Sequence, residues 1–94
     1  MLQPTPSNPP LPRDLWLKRL TYRSLHRGCK ETDLVLGIYC LQQIASLADA
    51  DLHLFEAFLD EDDSDIWAWL TEKTPCPNPE YAPLLNQLRQ QKVA

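Results

Sequence analysis

The sequence predicts an all-α fold: a small five-helix bundle forming a single domain over residues 13–94, preceded by a flexible proline-rich tail over residues 1–12. Three observations lead there. The nine prolines fall at positions 4–12 and 75–83, so the stretch from Arg13 to Thr74 contains none and is framed by rigid ends. Only two glycines occur in 94 residues, and the Asn-Gly and Asp-Gly pairs that tight β-hairpins use are missing. Apolar residues in the proline-free interior recur at helical spacing. An apolar content of 44% and this length suit one domain with one modest core.

The first helix opens at Pro12 or Arg13, where a proline is tolerated in the initial turn. Leu15, Trp16, Leu20, Tyr22 and Leu25 supply its apolar surface, and Gly28 is expected to stop it in a left-handed conformation. The second helix is expected from Cys29 or Lys30 to Ser46. Leu34, Ile38, Leu41 and Ala45 form its stripe, widened by Val35, Leu36, Cys40, Ile44 and Leu47 until the helix is apolar nearly all round. Such a helix belongs at the centre, contacted by several others.

Asp49 is read as the N-cap of a third helix that buries Leu52, Phe55 and Leu59. The acidic run at 60–65 separates it from a fourth, Asp65–Lys73, capped by Asp62, Asp63 or Ser64 and packing Ile66, Trp69 and Leu70. Trp67 and Trp69 stand two apart, so one enters the core and the other is left as a surface anchor. Prolines end this helix, and a fifth begins between Pro79 and Pro83 to present Leu84, Leu85 and Leu88.

Charge is distributed unevenly. Residues 13–30 carry six bases and one acid, whereas residues 31–65 carry ten acids and no base. The overall charge of −4 argues against general nucleic-acid binding, although the basic first helix could meet an acidic partner or the acidic run itself. Cys29, Cys40 and Cys76 are odd in number and form no C-x-x-C pair, which excludes a disulfide framework and fits a reducing compartment. The first base is Arg13, no apolar leader precedes it, and no apolar run approaches the ~20 residues of a spanning helix. The expectation is a soluble, cytoplasmic, monomeric protein with no membrane span and no nucleic-acid partner.

Candidate chemistry centres on Arg27-Gly28-Cys29-Lys30-Glu31. Gly28 can stand at the N-cap of the second helix with Glu31 three residues on, as in a capping box. That role leaves Arg27 and the surrounding Arg19, Arg23 and Lys30 unexplained, and an exposed basic turn with one fixed carboxylate can offer forked hydrogen bonds to a partner. The acidic run lacks the glycine and glutamate spacing of an EF-hand loop. His26 and Cys29 supply one close pair where a structural zinc site needs two, so no metal site is expected. No enclosing pocket can be argued for an enzyme using Glu31 with His26 or Arg27.

Arg27-Gly28-x-x-Glu31, followed by Thr32-Asp33-Leu34, resembles the R-G-x-x-E signature of the flavinylation-factor family, the SdhE-type assembly factors of succinate dehydrogenase. Arg19-Leu20-x-Tyr22-x-Ser24 is similar to its mitochondrial members, and Asp63-x-Asp65-Ile66-Trp67-x-Trp69 to the acidic-aromatic motif that opens the family's fourth helix. The resemblance covers residues 13–91 and implies a five-helix assembly factor, itself not an enzyme and with no catalytic residue of its own. It implies binding to the flavoprotein subunit of succinate dehydrogenase, or of fumarate reductase, and promotion of covalent FAD attachment to a histidine of that subunit. FAD is then the partner's cofactor and is not stably held by this chain. The implied contact residues are Arg27, Gly28 and Glu31, with Tyr22, Arg23, Asp33, Asp65 and Trp69 beside them. The alternative is a small helical regulatory interaction module, antitoxin-like or nucleic-acid-binding.

Overall fold

The computed structural model describes residues 12–91, so the tail expected over 1–12 lies, apart from Pro12, outside the described residues. Five α-helices follow one another: α1 (Arg13–Leu25), α2 (Lys30–Gln42), α3 (Asp49–Leu59), α4 (Asp63–Leu70) and α5 (Ala82–Gln90). Single 3₁₀ turns, Ile44–Ser46 and Pro79–Tyr81, lead out of α2 and into α5. Among the described residues there is no strand, and no helix is long and apolar enough to cross a membrane.

α2 is the central helix, touching α1, α4 and α5. Its buried face differs from the expected one. Thr32, Leu36, Gly37, Tyr39 and Cys40 face inward, followed by Ile44, while Leu34 and Leu41 are exposed. Both faces of α2 are apolar, so spacing alone could not choose between them; the neighbouring helices do. α1 also buries less than expected. Leu20 is enclosed and Trp16 is half-buried, but Leu15, Tyr22 and Leu25 face solvent. Gly37 allows a close approach between these two helices, because a Cβ there would stand 2.5 Å from Cδ2 of Leu25.

The centre of the core is aromatic. Phe58 meets Tyr81 edge-on at 5.0 Å between ring centroids, and Tyr39 leans on Phe55 at 5.2 Å. Leu84, Leu85 and Leu88 of α5 close one side, as their spacing predicts. Trp69 is 6% exposed and enters the core, but Trp67 is half-buried and also packs against the core, so the surface anchor expected of the second ring is not found. The buried Ser24 hydroxyl is paired: it donates to the Leu20 carbonyl and receives the Cys40 thiol.

Helix ends depart from expectation in three places. α3 is capped by Ala48, with Asp49 already in its first turn and bonded to Arg13 at 2.8 Å. α4 begins at Asp63 after Asp62 and stops at Leu70, before any proline. The amides of Glu72 and Lys73 return to the Trp69 and Ala68 carbonyls, with Glu72 at φ 62°, which is a Schellman ending made without glycine. α2 stops at Gln42, and the chain to Ser46 continues as the 3₁₀ turn.

Two phenols tie stability to alkaline pH. Burial, reinforced by Asp51 and Cys40, pushes Tyr39 from its ordinary value near 10 up to about 12. Burial and the accepting Glu61 carboxylate do the same to Tyr81. The fold therefore holds these protons more tightly than the unfolded chain does. Their contribution is complete below about pH 10 and is lost as pH rises toward about 12. Urea midpoints measured across this window should fall steadily; a flat profile would contradict the packing assigned to the two rings.

Candidate functional site

The link between α1 and α2, residues 26–29, is where most of the expected site residues meet. α1 ends at Leu25 with His26 as its C-cap, so Gly28 lies beyond the helix stop it was expected to make. Gly28 has φ +96°, and a Cβ there would meet nothing within 4 Å. Glycine is therefore required by backbone conformation, while the space above it is open. Cys29 is the N-cap of α2, which puts Glu31 at the second helical position and Thr32 at the third. The expected capping box therefore does not form, and Cys29 makes no side-chain cap bond. Thr32 donates to the Cys29 sulfur at 3.3 Å, and Glu31 is exposed.

Arg27 behaves differently from Glu31. Its side chain is only 11% exposed and turns inward, across to the junction of α3 and α4. Nε donates to the Asp63 carboxylate, Nη1 to the Leu59 carbonyl and Nη2 to the Glu61 carbonyl. A planar guanidinium suits this fork, because it reaches three acceptors in one plane. Leu59 is the last residue of α3, so Arg27 also serves the carbonyl end of that helix, where a cation is favoured. Its backbone amide donates to Asp33 at 3.1 Å, which closes the link onto α2. One residue therefore fixes the link against three helices.

The remaining expected residues surround this staple. Arg23 pairs with Asp60 at 2.6 Å. Tyr22 is 64% exposed and stacks on His26, with ring centroids 4.0 Å apart. Asp65 is exposed on α4. Trp69 lies inside the core against Phe58 and Tyr81, so it acts on the surface only through packing. Gly28, Glu31 and Tyr22 are thus outward, Arg27 and Asp33 hold the link, Arg23 ties the end of α1 to Asp60, and Trp69 lies in the core.

Asp63 is the participant that the sequence reading left out of its contact set. Its place in the acidic-aromatic motif was visible, but ten acids between residues 31 and 65 gave no spacing rule to select it. The basic segment meets the acidic one: three of the six bases in residues 13–30 are paired, Arg23 and Arg27 with Asp60 and Asp63 of the acidic run and Arg13 with Asp49 of α3. Among the described residues no group of His, Cys, Asp or Glu is arranged to hold a metal ion.

Removing Arg27 would strand Asp63 and two carbonyls in a half-buried setting. Arg27→Ala should cost roughly 3 kcal/mol of unfolding free energy, and Asp63→Asn, which keeps a hydrogen-bonding oxygen, about 1 kcal/mol. Urea denaturation checks both; equal, negligible losses would refute the staple.

Comparison with known proteins places this geometry in a family. The family described as "Flavinator of succinate dehydrogenase" matches residues 18–92. A protein of Mycosarcoma maydis is 40% identical over 65 residues, covering 69% of this chain and 27% of its own length. One of Meyerozyma guilliermondii is 40% identical over 63 residues, covering 64% and 47%. One of Yarrowia lipolytica is 36% identical over 76 residues, covering 77% and 52%. All three are named succinate dehydrogenase assembly factor 2, mitochondrial. This chain spans from about a quarter to about half of their length. The relatives' names overturn the cytoplasmic expectation. Its basis was weak in physical terms, since free thiols report a reducing environment and do not distinguish one reducing compartment from another.

Proposed function

Because this chain belongs to the family of flavinators of succinate dehydrogenase, we propose that it is an assembly factor for that enzyme, binding the flavoprotein subunit and promoting covalent attachment of FAD to it. The observation that carries the reading is the exposed Gly28–Glu31 turn, held by the Arg27 staple within the region the family match covers. Open space above Gly28 suits close approach of another backbone, and the outward Glu31 carboxylate can accept hydrogen bonds from a partner. Tyr22 and Asp65 lie at the edge of this contact. Arg23, Arg27, Asp33 and Trp69 serve it by positioning.

In this reading the chain is not an enzyme. The bond forms inside the partner, between that subunit's own histidine and its FAD, and this chain keeps no flavin. Its contribution is to hold an assembly conformation in which the two reacting groups are oriented. Orientation of this kind is worth up to about 7–11 kcal/mol of barrier in favourable cases. It acts as a monomer, in the mitochondrial compartment that the relatives' names give. The nucleic-acid alternative loses support, because half of the basic cluster that motivated it is paired with carboxylates of the same chain.

The test is to isolate the flavoprotein subunit from cells with and without this protein, denature it, and measure flavin fluorescence on the polypeptide. Covalent FAD should fall at least tenfold without the protein and stay low with Gly28→Arg or Glu31→Ala. Equal flavin in all samples would sink the proposal. The same assay on the flavoprotein of fumarate reductase decides whether that subunit is a second client.

A further inference from the structure

We propose that the outward face of α2, together with the end of α1, is a second contact region that takes an apolar protein surface rimmed with carboxylates. The inference rests on the reading above and assigns this surface to the same flavoprotein partner.

Glu31, Leu34, Ile38 and Leu41 succeed one another at intervals of three, four and three residues, which places them along one side of α2. The stripe therefore starts at the proposed Gly28–Glu31 contact and runs away from it, with Ile38 half-buried between two exposed leucines. Leu34 is 52% exposed and Leu41 80% exposed, and Leu25, 43% exposed, packs from α1 over the buried Gly37, which falls between them in sequence. All the large hydrophobic side chains exposed among the described residues belong to α1 and α2; α3, α4 and α5 contribute none. Scattered exposed leucines need no explanation, but a row of them confined to one face marks an interaction surface.

Charge selects the occupant. Lys18, Arg19 and Lys30, on the same two helices, are exposed and have no carboxylate within ion-pair distance among the described residues, whereas Arg13, Arg23 and Arg27 are all paired. Three uncommitted cations on the helices that carry the apolar row fit an apolar surface with an acidic rim. A second copy of this chain would bring two such basic rims together. A lipid surface would receive Glu31 among its anionic headgroups, which is unfavourable.

The test uses the whole chain and the flavoprotein subunit, with affinity measured by titration calorimetry and melting temperature measured for every variant. The paired change Leu34→Gln with Leu41→Gln should weaken binding at least tenfold without lowering the melting temperature, both side chains being exposed. Lys18→Glu with Lys30→Glu should slow association and flatten its salt dependence. Affinity within twofold of wild type for the leucine pair overturns the proposal. So does an effect of that pair seen only in self-association or in binding to phosphatidylcholine–cardiolipin vesicles. If Gly28→Arg abolishes binding while the leucine pair leaves it intact, the second region fails and the assembly reading stands. If the wild type does not bind the flavoprotein, both fail.

Discussion

The set of bonds made by the Arg27 guanidinium is the constraint on which the rest of the candidate site depends. A four-residue link between two helices has little to order it beyond its own capping bonds. Here the link is tied through one side chain to the last carbonyl of α3, a carbonyl of the following loop and the first residue of α4. A cation so placed answers two needs. It satisfies acceptors at a helix end that would otherwise depend on water, and it neutralises part of a crowded acidic loop. Because Arg27 turns inward, the left-handed backbone at Gly28 and the carboxylate of Glu31 remain on the outside, in fixed relation to the core.

The same interaction explains the uneven charge of the chain. A basic first helix and an acidic middle look like two separate binding surfaces when read along the sequence. In space they face each other, and three ion pairs join α1 and the link after it to the α3–α4 region. The two exposed pairs contribute little individually, and the Arg27–Asp63 pair, more enclosed and joined to two carbonyls, contributes most. What is left uncommitted on α1 and α2 is a narrower set, Lys18, Arg19 and Lys30, on the helices that carry the exposed leucines.

The number, order and type of the helices were legible in the sequence, because proline placement and apolar spacing leave few alternatives. The inward leucines of α3 and α5 were legible for the same reason. The buried face of α2 was not: Leu34, Ile38 and Leu41 repeat at helical spacing as well as Leu36, Tyr39 and Cys40 do, and only the positions of α1, α4 and α5 decide which row is covered. The end of α4 was hidden because Glu72 occupies a left-handed position where glycine is the usual signal. For the site, the motif residues located the link, but the direction in which Arg27 points depends on a carboxylate 36 residues away. Capping logic by itself put Glu31 one position out of place and had no role for Arg27.

The inward engagement of Arg27 is the central claim, and the NMR signal of its side-chain Nε–H reports on it directly. In ¹⁵N-labelled protein this proton should exchange with water far more slowly than that of the exposed Arg19, and Asp63→Ala, which removes its acceptor, should narrow the difference. Exchange of the Arg27 proton as fast as that of Arg19 in the wild type would show a solvent-facing guanidinium and contradict the account.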